Sequence, residues 1–186
     1  DMSKLAVIPS DPISAYEAKG THVWCERYYN PAKYFDLVFL FSPLEKEKKI
    51  QYGMQTVPTE PKELPAQLEA YDIDILRAYG GYWACDMACR NRNPRVPVVV
   101  SVHDTNPEEL YNGIKYADVV FCMSQAVRDL VLTKFPHPDR AWILPNRYDA
   151  KIFHPLDHYE TADLDALCPW PNKLLCIGRL RKQKNQ

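Results

Sequence analysis

The chain has 186 residues, with 23 Lys and Arg against 24 Asp and Glu for a net charge of -1, and 46% of its residues are hydrophobic against 25% charged. That length holds one domain and part of a second, and the near-neutral balance gives no electrostatic footprint for wrapping nucleic acid or an anionic membrane. No apolar run approaches the ~18 residues of a membrane span, so integral-membrane and disordered classes drop out.

In chain order, apolar runs at residues 5–9, 37–41, 73–78, 96–102, 119–123, 142–145 and 174–177 are strand candidates. Several are continuous and β-branched, as in PVVVSV and ADVVF, which suits strands covered on both faces. Helix-sized gaps separate them, so the fold class is α/β, with a doubly wound and mainly parallel sheet. Gly80-Gly81 opens one predicted helix, through about Arg90. Asn106-Pro107-Glu108-Glu109 supplies an N-cap, a first-turn proline and first-turn acids, predicting a helix over 107–116. Ser124 caps another, with Val127, Leu130, Val131 and Phe135 at helical spacing before Pro136. Between 42 and 69 the pattern is weak: Glu45 to Lys49 form a solvated charge run, and Pro58, Pro61 and Pro65 break the chain. After Asn146 the period is lost and Pro155, Pro169 and Pro171 mark a linker. The expected organisation is one α/β domain at 1–146, a linker at 147–172, and the first strand and basic loop of a truncated second domain at 173–186. The unpaired strand at 174–177 would be an aggregation liability in such a fragment.

The six cysteines are expected to be reduced, since Cys122 and Cys176 sit inside apolar runs like small buried hydrophobes. Cys85 and Cys89 fall on one helix face, but no His or second Cys pair lies at a zinc-like interval, so no metal is expected. The five apolar residues at 5–9 are too few for a signal-peptide core, which predicts a cytoplasmic protein.

In open parallel sheets ligands collect beyond the carboxyl ends of the strands. The residues predicted there are Ser10 and Asp11, Tyr79 and Gly80, His103 and Asp104, Ser124, Asn146 and Arg179. His103 directly follows a buried run and is a candidate proton carrier or hydrogen-bond donor; a capping His satisfied by backbone is the alternative. Gly178-Arg179-Leu180-Arg181-Lys182-Gln183-Lys184 is a strand-ending glycine followed by cations, which could neutralise a diphosphate without a metal. No G-x-x-x-x-G-K-[ST], G-x-G-x-x-G or G-x-S-x-G is present, which removes the main support for Walker ATPase, ordinary dinucleotide-binding and serine hydrolase readings.

Taken in order, SVHDTNPEEL, ADVVFCMSQAVRDLV, ILPNRYDAKIFHP and LLCIGRLRKQKN resemble the retaining glycosyltransferases of the GT-B fold, family 4 group. The motif positions are His103, Ala117-Asp118 with Ser124, Pro145-Asn146 with Phe153 and Pro155, and Gly178-Arg179-Leu180 with Lys184. The resemblance implies two facing Rossmann-like domains and transfer of a sugar with retention, from a nucleotide-sugar to a carbohydrate, lipid or small-molecule acceptor. It implies that Arg179 and Lys184 stabilise the departing diphosphate, that His103 contacts the donor sugar, that Gly178 and Asn146 lie at the donor side, and that neither cofactor nor metal is needed. Ser10, Asp11, Tyr79, Gly80, Asp104 and Ser124 would then border the acceptor-side cleft. The family often has a Gly-Gly pair after its first strand where this chain reads IPSDPISAYEAKG, and the family's acidic donor motif would lie beyond Gln186. A fragment inactive on its own is therefore expected. Relatives that glycosylate lipids sit peripherally on membranes, but no basic amphipathic helix argues for it here. Two other classes fit the architecture: a GT-B nucleotide-sugar epimerase and a non-catalytic Rossmann-like binding module.

Overall fold

A computed structural model describes residues 2–145. Asn146, the linker, the strand at 174–177, Gly178, Arg179 and Lys184 lie outside the described residues. The chain divides into two compact units, Asp1–Asn146 and Arg147–Gln186.

The elements of the first unit are β1 (Lys4–Ile8), α1 (Ile13–Ala18), α2 (Cys25–Tyr29), β2 (Leu37–Ser42), β3 (Lys49–Gln51), β4 (Met54–Pro58), α3 (Leu64–Ala70), β5 (Ile75–Tyr79), α4 (Trp83–Arg90), β6 (Val98–Val102), β7 (Val119–Cys122), α5 (Gln125–Leu132) and β8 (Ala141–Ile143). The strands form one sheet in the order β3-β4-β2-β1-β5-β6-β7-β8. All pairs are parallel except β3 with β4. This is the expected α/β, Rossmann-like doubly wound sheet.

Alternation along the strands divides the core in two. One cluster joins Ala6, Ile8, Phe39, Phe41, Leu76, Ala78, Val98 and Val100 to Leu64 and Leu68 of α3, Ala84 and Ala88 of α4, and Val127 and Val131 of α5. The other joins Leu5, Val7, Val38, Leu40 and Tyr79 to Ile13 of α1 and to Cys25 and Tyr29 of α2. Because β1 and β2 send side chains into both clusters, their sequences read as continuous apolar runs.

Three aspartates fix where strands begin. Asp36, Asp74 and Asp118 each precede a strand by one residue, and each accepts a backbone N–H from the start of a neighbouring strand: Ser3 at 2.7 Å, Lys4 at 2.7 Å and Val98 at 2.7 Å. The Ser3 bonds hold the Asp36 carboxyl below its ordinary value of 3.8. Asp118 also pairs with Arg92 at 2.9 Å, which gives the Ala117-Asp118 motif a structural task at the amino edge of the sheet.

Two expectations need correction. The segment 107–116 is not one helix but two 3-10 turns, Pro107–Glu109 and Asn112–Tyr116. Asn106 does cap the first, accepting the Glu108 N–H at 3.1 Å. Leu110 is then extended, with its side chain buried, and the Tyr111 N–H donates to Gly81 O at 2.7 Å. Gly113 donates its N–H to Asp86 Oδ1 at 2.7 Å on α4. Tertiary anchors at both ends thus override the local helix signal. The region 42–69 holds an unexpected hairpin, β3-β4, followed by α3. Its turn is Tyr52-Gly53, with φ of 50° and 71°, the left-handed pair that a two-residue hairpin loop requires.

Candidate functional site

β1 lies between β2 and β5, so the winding direction reverses there, and a crevice outside the carboxyl ends at such a switch point is where open α/β sheets bind ligands. The loops leaving β1, β5, β6 and β7 follow one another along this edge.

At the switch itself Gly80 has φ +94°, which an L side chain rarely adopts. The ring of Tyr82 folds back over it, so that a Cβ on Gly80 would lie 2.6 Å from Tyr82 Cε1. Gly81 is pressed against the turn after β6, where a Cβ would lie 2.9 Å from Glu109 O. Burial raises the Tyr82 phenol above its ordinary value of 10.0, while a hydrogen bond with the Ser10 side chain opposes the rise. Tyr82 and Ser10 therefore join the two loops that border the crevice. Asp11 is held by Lys19 at 3.0 Å, and Glu45, from the loop after β2, accepts the Ile13 N–H at 2.7 Å and so caps α1. Tyr82, the N-cap residue of α4, makes no side-chain hydrogen bond to its first turn.

Farther along the edge, Arg77 of β5 shares the sheet face of Ser101 of β6 and Phe121 of β7. Its Nε and Nη2 donate to Ser101 Oγ at 3.2 and 3.0 Å. The guanidinium lies 4.8 Å from the Tyr79 ring centroid and 5.5 Å from that of Phe121. Two residues beyond Ser101 stands His103. It is exposed at its surface, yet partial desolvation, reinforced by repulsion from Arg77, holds its imidazole below the ordinary value of 6.5. A neutral imidazole at neutral pH can accept or donate a proton at the strand end. Asp104 Oδ1 accepts the Asn106 N–H at 2.7 Å, shaping the loop that carries His103.

The structure brings Ser10, Asp11, Gly80, His103 and Asp104 to one edge. Tyr79 differs: it is 4% exposed, and its ring packs 5.3 and 5.0 Å from those of Tyr28 and Tyr29, inside the core rather than on the cleft wall. Ser124 is at the edge, but its hydroxyl accepts the Val127 N–H at 3.3 Å as the cap of α5. Two residues escaped the sequence reading of the site. Tyr82 was signalled by an aromatic directly after a glycine pair, and Arg77 by a lone charge inside the apolar run ILRAY. Among the described residues no group of three or more His, Cys, Asp or Glu is placed to hold a metal ion. Among them, too, no helix is long and apolar enough to cross a membrane.

Solved structures share this architecture. Anabaena HepE in complex with UDP is 18% identical with a TM-score of 0.57, covering 90% of this chain and 50% of that one. A glycosyltransferase from Rickettsia africae is 13% identical with a TM-score of 0.52, covering 94% and 51%. The UDP-N-acetylglucosamine 2-epimerase of Rickettsia bellii is 10% identical with a TM-score of 0.52, covering 77% and 44%. At these identities the likeness is one of fold, and the chain spans about half the length of the proteins it matches or less. No curated protein sequence matches the chain. The model of Glycosyltransferase Family 4, however, matches residues 21–151, which include α2, every strand from β2 to β8, the glycine pair and His103. On that match over more than two thirds of its length, the chain belongs to glycosyltransferase family 4.

Proposed function

We propose that this chain is the acceptor-side part of a glycosyltransferase that moves a sugar from a nucleotide-sugar to an acceptor with retention of configuration. The observation that carries this reading is the family match over residues 21–151, within which His103 and the Gly80-Gly81 loop occupy one carboxyl edge. In this mechanism the neutral His103 imidazole contacts the donor sugar, and Ser10, Asp11, Gly80, Tyr82 and Asp104 border the acceptor. Arg179 and Lys184 stabilise the diphosphate as charge develops on it, an electrostatic role in which two cations serve in place of a metal, and Gly178 and Asn146 are further donor-binding residues. HepE has been solved with UDP and with UDP-glucose, which makes a uridine nucleotide the first donor to test.

The test is a thermal-shift panel of UDP, GDP and ADP with their sugars, on this chain and on a longer polypeptide that continues through the donor domain. One nucleotide family should stabilise the longer protein and fail to stabilise its Arg179→Ala variant. No shift from any nucleotide would reduce the assignment to a likeness of fold, and turnover by the 186-residue chain alone would overturn the division of labour. Anomeric couplings in the product NMR spectrum report retention directly. Interconversion of a free nucleotide-sugar without acceptor would point instead to epimerase chemistry, the activity named for one structural neighbour.

A further inference from the structure

The opposite, amino-terminal edge of the sheet carries a second concave site. A cavity of about 530 Å³ opens where α4 ends and β7 and β8 begin, and among the described residues its lining includes Arg90, Arg92, Lys115, His137 and Arg140 with a single carboxylate, Asp118. In a chain whose net charge is -1, four permanent cations around one carboxylate is a local excess.

Structural duties account for only part of that excess. Arg92 is committed: its guanidinium pairs with Asp118 at 2.9 Å and donates to Tyr116 O at 2.9 Å. Arg90 pairs with Asp86 at 2.9 Å and stands in the last turn of α4, where a cation complements the helix dipole. Asp118 in turn is occupied by Arg92 and the Val98 N–H. Among the described residues Lys115 and Arg140 have no comparable task. Lys115 has no carboxylate partner among the described residues and lies over the Tyr116 ring, 4.9 Å from its centroid. The only carboxylate that Arg140 reaches among the described residues is Asp139, at 3.9 Å, the outer limit of an ion pair. Both are exposed, and both face the same cavity as the His137 imidazole.

From this convergence we infer that the cavity is an anion site for a soluble small molecule bearing two or more phosphate groups. Its volume lies within the ~300–1,000 Å³ of small-molecule sites. Guanidinium groups match phosphate oxygens in pairs, and a lysine adds a mobile point charge, so Arg140 and Lys115 would grip the ligand while Arg92 and Arg90, already anchored, supply field. The site is separate from the carboxyl-edge crevice and does not rest on the transferase reading.

Inorganic pyrophosphate is the probe. Titrated calorimetrically into the full chain carrying Arg179→Ala and Lys184→Ala, so that the proposed donor loop cannot contribute, it should bind saturably and perturb the amide resonances of Lys115, Tyr116, His137 and Arg140. Adding Lys115→Ala and Arg140→Ala should weaken binding by about tenfold or more, and raising the salt concentration should weaken it in the parent. Because both side chains are exposed, the thermal midpoint should stay where it is, which separates lost binding from lost folding. Absence of saturable binding, or binding that survives the double substitution, would overturn the inference. So would Lys115- and Arg140-dependent sedimentation with phosphatidylcholine vesicles containing phosphatidic acid, if free pyrophosphate does not bind, since that result would assign the patch to a lipid surface.

Discussion

Arg77 and Ser101 are locked diagonally across β5 and β6: the guanidinium donates twice to a hydroxyl that is only 2% exposed, two residues short of His103. The pairing explains how a cation is tolerated inside a strand and how it reaches the candidate catalytic edge. Replacing Arg77 by Met strands the buried Ser101 hydroxyl and should cost about 1–3 kcal/mol in urea unfolding. In the same variant the His103 pKa should rise, because the repulsion from Arg77 is gone, but only part of the way to its ordinary value, since desolvation is the larger cause. An NMR titration of the His103 ring proton reads this directly, and an unchanged midpoint would remove Arg77 from the account.

The depressed His103 pKa also sets a pH dependence of stability. Below about 6.5 the unfolded chain binds a proton at this position before the folded chain does, so ν is larger in the unfolded state and stability falls as pH falls. The contribution is fully present above the unfolded value and is lost as pH drops through the folded one. His103→Gln should therefore flatten the change in urea midpoint between pH 7.5 and 5.5. Asp36, whose carboxyl is lowered by its Ser3 bonds, loses its contribution only in a more acid window, below its ordinary 3.8.

What the sequence made legible, and what it did not, follows from where information is stored. The run ending at Ile8 is buried on both faces, that ending at Val102 is continuous and mostly buried, and both announce themselves by composition alone. The hairpin β3-β4 does not: β3 is a short edge strand with Ile50 84% exposed, and its turn is Tyr-Gly rather than Asn-Gly. Tyr52 accepts the left-handed conformation there while its hydroxyl donates to Glu17 at 2.7 Å and its ring meets His22 at 5.0 Å, contacts made across the fold that no local pattern encodes. Ser10, Gly80 and His103 were legible as residues just beyond strand ends, since β1, β5 and β6 end at Ile8, Tyr79 and Val102. Side-chain direction was not legible: parity along β5 sends Tyr79 into the second core cluster, and the helix cap claims Ser124.

The glycine pair should tolerate no side chain. Gly80→Ala places a Cβ at positive φ and against the Tyr82 ring, and Gly81→Ala presses one onto the Glu109 backbone. Each should destabilise by about 1–3 kcal/mol. Gly80→Ala should additionally displace the Tyr82 ring, and the Tyr82 phenol pKa should fall in a spectrophotometric titration, because relief of burial, the larger cause, outweighs the loss of the Ser10 bond, which by itself would raise it. Equal stability of Gly80→Ala and the parent would mean that the loop has another conformation.

The four described cysteines are free and buried, and native alkylation should distinguish them from reactive thiols. Burial pushes the Cys122 thiol up to about 11. At pH 8 only roughly 0.1% of it would be thiolate. Cys85 is raised as well, first by its hydrogen bond with Cys89, 3.9 Å away, and then by burial. Iodoacetamide on the folded chain should leave the peptides carrying Cys25, Cys85, Cys89 and Cys122 unmodified while labelling all four in urea. Fast native labelling of Cys122 would contradict its placement in β7.

Asp118 provides the sharpest separation of hydrogen bonding from charge at the amino edge. Asp118→Ala removes the acceptor of the Val98 N–H as well as the partner of Arg92, and leaving a partly buried N–H unmet should cost about 1–3 kcal/mol. Asp118→Asn keeps an oxygen for Val98 and loses only the ion pair. That pair is about one-third exposed, with side chains 28% and 34% accessible, and Arg92 retains its bond to Tyr116 O, so the loss should be at most about 1 kcal/mol. Urea unfolding of the two variants should therefore rank Ala well below Asn, with Asn near the parent and sensitive to salt. The reverse order would mean that the charge rather than the N–H bond holds β6 in register, and the same test then applies to Asp74, which meets the Lys4 N–H in the same way.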